Sequence, residues 1–458
     1  MRRLPTTRRF DVRLSQQLLC AGVACLGLFA QGLRGGTPAA DVRSDDPPAE
    51  TTTATTVETT VKTTDQTSDA DDAAETPPLA DAELADWRRS LLTRAFDIAS
   101  AIPVDPHVKD RSKAQADVLD ALLDLDQPLA VRDLATRIEN WRRAEAIAKV
   151  ALFAARAGVD PTEVRTLVAL SDANHPADLA QWRHDRIDVK IARAMVRIGD
   201  LEAAARLEAG FERAAQGRVV EESVETMPAE AVPVLLERLD QVIELADLDG
   251  VMNAIDILVA LHARFYDDVA LRTDLERRVD DAATRGKVPH DIRVRANLSL
   301  VDEAVRRDDE ANARMLVGRA RGVLDSIQAR TPFPAEYLVP LLGDLARRRA
   351  EAGDLERAIV EVEDAMTIAD ENRATIIDVF RARAMRPVAL AAVATGDPEL
   401  AERVFTAVVE AGAVNPNSRP RAEDLARTLA AMAVSGHQPG EGLQARIDEI
   451  VEGLGDPW

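Results

Sequence analysis

From Asp81 to the C-terminus, apolar side chains return every three or four residues, the spacing that keeps them on one face of a helix. After Gly353 they fall at Leu355, Ala358, Ile359, Val362, Ala365, Met366 and Ala369, while Glu356, Arg357, Glu361, Glu363 and Asp364 fill the other side. Before that glycine a matching stripe runs through Leu338, Leu341, Leu342, Leu345 and Ala346. A two-residue corner between two such stripes predicts an antiparallel helical hairpin. A single hairpin cannot bury both of its apolar faces, so neighbouring hairpins must stack on it. The pattern breaks at proline, glycine and aspartate and does not alternate with period two, which predicts an all-α chain.

Helix starts are legible where an acid precedes a proline. In DPTEVRTLVAL, Asp160 can cap, Pro161 takes the first helical position where its missing N–H costs nothing, and Glu163 can complete a capping box. Asp397, Pro398 and Glu399 repeat the device, and Gly158 and Gly396 suit the left-handed residue that closes the preceding helix.

The hairpin recurs. Five residues after the corner positions Gly353, Gly199, Gly396 and Asp308 stand Ala358, Ala204, Ala401 and Ala313. Seven residues before them stand Ala346, Ala192, Ala389 and Val301, and twelve after them Ala365, Phe211, Val408 and Ala320. Small residues at these offsets let helices approach closely. In this the chain resembles the tetratricopeptide repeat, whose hairpins stack into a right-handed superhelix. Successive corners at Asp308, Gly353 and Gly396 are 45 and 43 residues apart, against about 34 in that family. Arg349, Met195, Ala392 and Ala304 stand where the family commonly has an aromatic. The resemblance implies an α-solenoid of stacked antiparallel hairpins over about residues 81–453, within a helical repeat domain at 81–458.

Two segments precede that domain. Residues 1–36 place five arginines before an apolar run from Leu18 to about Ala30, the layout of an export signal or signal anchor. Extended to Leu33 the run has 16 residues, about 24 Å as a helix and short of the roughly 30 Å hydrocarbon core. Thr7, Arg8, Arg9 and Phe10 hint at a twin-arginine signal. Both cysteines, Cys20 and Cys25, lie in this leader, so cleavage would leave no thiol for a disulfide or a metal site. Residues 37–80 hold twelve threonines, five prolines and many acids, a composition that predicts a disordered linker.

Aromatic residues make up only 3% of the chain, which favours a helical array over a sheet core. The net charge is −22, and −27 without residues 1–36. Such a field repels phosphate backbones, so no nucleic-acid partner is expected. No catalytic, cofactor-binding or metal-binding residue is assigned, and no cofactor is expected. Asp247, Asp249, Gly250, Asn253 and Asp256 match much of a calcium loop, but Leu245 takes the first ligand position. Asp249 and Gly250 read better as a helix corner, with Met252, Ile255 and Val259 on the buried face.

The histidines at 107, 175, 184, 262, 290 and 437 are scattered, and no pair has the one-turn spacing and acid of a zinc helix. His184, beside Asp185 and near Trp182, reads as a polar helix face with a core tryptophan; Trp87 and Trp141 read as packed between helices. Arg347, Arg348 and Arg349 splay around their helix, and Asp308 with Asp309 reads as solvated surface. These features predict a non-enzymatic scaffold, exported to the periplasm or cell envelope, that binds a protein or peptide partner and is tethered through its N-terminal segment. Two rivals stand beside it: a wall-active glycosidase with two carboxylates about 5 to 10 Å apart, and a calcium-binding module. Oligomeric state is left open.

Overall fold

Glycine or aspartate in the left-handed conformation closes helix after helix. Asp126, Gly158, Gly199, Asp308, Gly353, Gly396 and Gly436 all have φ between 56° and 85°. In the computed structural model the described residues are 76–458 apart from 177, 213, 214, 216, 246 and 285–287. The leader at 1–36 and residues 37–75 of the linker lie outside them. Leu79 and Leu84 already pack into the core ahead of the first helix.

Among the described residues there is no strand. The helices are α1 (Asp86–Ala101), α2 (Val104–Asp124), α3 (Pro128–Ala135), α4 (Arg142–Arg156), α5 (Pro161–Ala173), α6 (Gln181–Arg197) and α7 (Leu201–Glu208). Then come α8 (Val220–Val224), α9 (Val232–Leu245), α10 (Leu248–Arg264), α11 (Val269–Thr284), α12 (His290–Ser299), α13 (Val301–Arg306) and α14 (Glu310–Gln328). The last are α15 (Ala335–Glu351), α16 (Leu355–Glu371), α17 (Asp378–Ala394), α18 (Pro398–Ala413), α19 (Ser418–Ser435) and α20 (Glu441–Glu452). Asp160 and Asp397 cap α5 and α18 as expected: Asp160 accepts from the Thr162 N–H at 2.7 Å, and Asp397 from those of Glu399 and Leu400 at 3.0 Å.

The expected hairpins form and stack. Every residue at the three recurring offsets is buried, from Ala346 and Ala358 to Phe211 and Val408. One helix of each hairpin packs on its counterpart in the next, in the order α2, α4, α6, α8, α10, α12, α15, α17, α19. The succession does not end there, because α19 packs on both α1 and α2. The array therefore closes into a ring. Seam contacts join residues more than 300 positions apart: Arg427 pairs with Asp117 at 2.5 Å, Arg419 with Asp110 at 2.9 Å and Arg94 with Asp448 at 2.5 Å. The helices that touch their own kind all the way round form the inner layer. Their hairpin partners, together with α1, lie outside and touch one another little, α18 and α20 being a pair that does meet.

Antiparallel hairpins give this ring two unlike rims. Inner helices all begin on one side, as contacts between their starts show. Trp141 meets Trp182, Asn140 donates to the Ser112 hydroxyl at 2.6 Å, and Asn415 donates to Asp378 at 3.0 Å. This is the loop rim. The tight corners lie on the other side, the corner rim. There the chain arrives: the Ala82 N–H donates to the Asp126 carbonyl at 2.8 Å, and Asp81 accepts from the Leu129 N–H at 2.7 Å.

Several local expectations give way to packing. Gly250 is not a corner; it lies in the first turn of α10, with Asp247 as cap accepting its N–H at 3.1 Å. Leu355 is largely exposed, whereas Glu361 is buried against Arg349. Asp308 is the left-handed corner expected from its offsets, but Asp309 is not idle surface: it caps α14 and accepts from the Tyr266 hydroxyl at 2.9 Å.

Candidate binding surface

Among the described residues, exposed aromatic rings are confined to the loop rim. Trp182 is 48% exposed, Tyr337 51% and Phe380 39%, and each is the second or third residue of an inner helix: α6, α15 and α17. Trp182 is thus a surface residue rather than the core residue expected. Trp141 is buried beneath it, edge to face, with ring centroids 5.7 Å apart. Trp87 is half-buried against the core.

Arginines surround this tryptophan pair. The Arg183 guanidinium lies 5.0 Å from the Trp182 ring centroid and 5.8 Å from that of Trp141. Arg142 and Arg186 approach Trp141 at 4.7 and 5.6 Å. Below them Glu145 is wholly enclosed and gathers three cations: Arg186 at 2.8 Å, Lys190 at 3.2 Å and Arg142 at 3.3 Å. Lys149, a turn further along α4, pairs with Asp120 of α2. Arg183 is left over; its Nε finds no hydrogen-bond partner.

Titration behaviour reports the crowding. Burial alone would push the Glu145 carboxyl up, but Lys190, Lys149, Arg186 and Arg142 together hold it below the usual range. Burial, with Lys149 and Arg186 adding repulsion, pushes the Lys190 ammonium down to about 8 despite Glu145. Burial and Arg186 also lower Arg142.

Next to this patch the fold joins two of the scattered histidines. His175 and His184 lie with ring centroids 4.5 Å apart, and burial together with His184 lowers the His175 pKa. Asp188, one turn along α6 from His184, is pushed up to about 6, chiefly by burial. Elsewhere His262 is buried 3.6 Å from Glu276, His437 contacts Glu402 at 2.9 Å and His290 packs against Phe333. Among the described residues no group of three or more histidine, cysteine or acidic side chains is placed to hold a metal ion.

The inner wall is also stitched by ion pairs from helix to helix. Arg386 of α17 pairs with Asp424 of α19 at 3.2 Å, and Arg193 of α6 reaches Glu221 and Glu222 of α8 at 3.0 Å. Arg295 of α12 pairs with Asp344 of α15 at 2.8 Å. Between α8, α10 and α12 a cleft of about 480 Å³ opens, lined by Met252, Ile255, Val259, Ile292, Glu221 and Asp256. Burial, reinforced by Glu221, pushes the Asp256 carboxyl up to about 6. The would-be calcium residues do not form a loop, since Asp249, Gly250, Asn253 and Asp256 all ride on α10.

Of the arginine triplet, Arg348 pairs with Asp302 at 2.6 Å, whereas Arg349 is buried against Glu361 at 2.9 Å. The tryptophan–arginine patch carried a sequence signal that periodicity passes over. Trp87, Trp141 and Trp182 are each followed by arginine, in DWRRS, NWRRA and QWRHD, and each of those arginines lies over the ring it follows.

No family model matches the chain, and no curated protein matches it in sequence. One solved structure that the chain resembles is described as a "circular tandem repeat protein with novel repeat topology and enhanced subunit contact surfaces". It is 16% identical, with 80% of this chain and 95% of that one covered, at a TM-score of 0.26. So low a score transfers nothing to this chain. Its architecture rests on its own contacts: a divergent, all-helical tandem array.

Proposed function

We propose that this chain is an exported, non-enzymatic scaffold that binds a protein or peptide partner on the loop rim of its ring while held at its N-terminus. The carrying observation is spatial. Trp182, Tyr337 and Phe380 present their rings on one rim, and the chain arrives on the other at Asp81 and Ala82. A tether running from the corner rim would turn the aromatic rim outward. Stacked helical hairpins supply broad surfaces, and large aromatics at such surfaces commonly dominate binding energy.

The test is affinity capture from envelope extract with the tagged full-length chain and its W182A/Y337A/F380A variant, at two salt concentrations. Specific proteins should be retained by the first and lost by the second, with the thermal midpoint unchanged. Equal recovery by both would sink the proposal. Export is checked separately, by fractionating cells that carry residues 1–36 fused to a reporter.

A wall-active hydrolase has one observation in its favour. Asp256 and Glu221 line the same cleft, with Asp256 raised to about 6 chiefly by burial and Glu221 paired with Arg193 at 3.0 Å, which supplies the two carboxylates that glycoside hydrolysis needs. Sugar release from wall polysaccharide that disappears in Asp256→Asn would establish it.

A further inference from the structure

We propose that the Trp141–Trp182 patch is the subsite for an acidic peptide segment of the partner, taking its carboxylates on Arg183 and Arg186 and its apolar side chains on Trp182. This rests on the scaffold reading above and names the site within it. The patch combines the two residue types that most often anchor protein interfaces, tryptophan and arginine. Its charge is incomplete. Among the described residues, Arg142, Lys149, Arg183, Arg186 and Lys190 have Glu145 and Asp120 as direct ion-pair partners, with Asp117 and Asp124 further off.

Arg183 is the half-buried remainder. Its guanidinium lies beside both indoles and its enclosed Nε is unbonded, so its two terminal nitrogens form the planar fork that can meet a carboxylate. A further carboxylate would also relieve the repulsion among the cations that share Glu145. The surrounding protein selects the kind of anion. A net charge of −22 repels a polyphosphate chain as a whole, whereas a short peptide with a few carboxylates pays that cost only locally. The chain's own acidic linker joins the body at the corner rim, on the far side of the ring. A second copy offers acidic corners at Asp160, Asp200 and Asp397, and the test separates it.

The experiment uses fluorescence anisotropy on the purified full-length chain with two labelled probes, an alternating Glu-Phe octapeptide and its Lys-Phe counterpart. The acidic probe should bind at least about tenfold tighter than the basic one, and more weakly as salt rises. R183Q and W182A should each weaken it about fivefold or more with an unchanged thermal midpoint, while R357Q, which removes an exposed arginine beside the Gly353 corner, leaves it unaltered. Equal affinity for the two probes, or an R183Q variant that binds like the parent, overturns the proposal. So does concentration-dependent self-association that R183Q abolishes, because the occupant would then be a second copy. Failure of this site is distinguishable from failure of the scaffold: if R183Q captures partners normally but W182A/Y337A/F380A does not, only the acidic subsite falls.

Discussion

Arg349 stands where the tetratricopeptide hairpins that the sequence resembles commonly place an aromatic ring, yet it is only 8% exposed. It is tolerable there because α16 brings Glu361 to meet it through two bonds, at 2.9 and 3.0 Å, with Asp354 adding a third at 3.2 Å. Removing one member of such a pair strands a buried charge. Arg349→Met should therefore cost about 3 kcal/mol, and Arg349→Met with Glu361→Leu should recover most of it. Urea denaturation of the parent and both variants checks this, and a double variant no more stable than the single would refute it. Four residues on, in the helix corner, Gly353 holds φ +77° with the Arg314 guanidinium 2.9 Å from where a Cβ would sit. Gly353→Ala should lower stability by about 1 kcal/mol. The glycine was legible from its place between two stripes. The ion pair was not, because an arginine and a glutamate twelve residues apart share a surface-like alphabet until a hairpin folds them together.

The helices show the same division between local and tertiary information. Hairpins were legible because each needs only its own apolar stripe and corner. Pro340 and Pro387 lie inside α15 and α17 rather than ending them. Those two helices approach so closely that a Cβ on Gly343 would come within 2.5 Å of the Val388 nitrogen and 2.6 Å of the Pro387 carbonyl carbon. Gly343→Ala should accordingly cost about 3 kcal/mol by forcing the pair apart. Gly318 and Gly322, in α14, have open space around them, so alanine at either should add about 0.5 to 1 kcal/mol through helix propensity. Thermal midpoints that move the same way for Gly343→Ala and Gly322→Ala would contradict this account of the packing. A recurring clamp also went unread at the level of pattern. Arg143, Arg293 and Arg381 each turn Nε back to the carbonyl five residues earlier, at Ile138, Val288 and Ile376, at 2.8 to 3.1 Å. An aliphatic residue followed five later by arginine thus marks the start of three inner helices.

Ring closure belongs to the whole molecule and leaves no periodic trace, because it depends on α19 meeting α1 and α2 across nearly the full length of the chain. The same scale governs the response to pH. Asp188 and Asp256 are pushed to about 6 by burial, so between about pH 4 and 6 the folded chain holds protons that the unfolded chain has released. Their contribution to stability falls as pH rises through that window, and at net charge −22 the mutual repulsion of acids acts in the same direction. The thermal midpoint should be higher near pH 5.5 than near pH 7.5, by a margin that narrows in Asp188→Asn with Asp256→Asn. At the seam, Arg427 is largely enclosed and bonds both Asp117 across the junction and Glu423 on its own helix. Reversing one charge places two guanidiniums face to face at the point where the ring must close. Asp117→Arg should therefore open the seam and enlarge the radius of gyration measured by X-ray scattering, because inner helices elsewhere stay joined by their own pairs. Asp117→Arg with Arg427→Asp restores opposite charges across the junction and should restore the compact ring. If the single variant keeps the parent's scattering profile, the seam is held by the packing of α19 on α1 and α2 and by its other ion pairs, and the Arg427–Asp117 pair is incidental to closure.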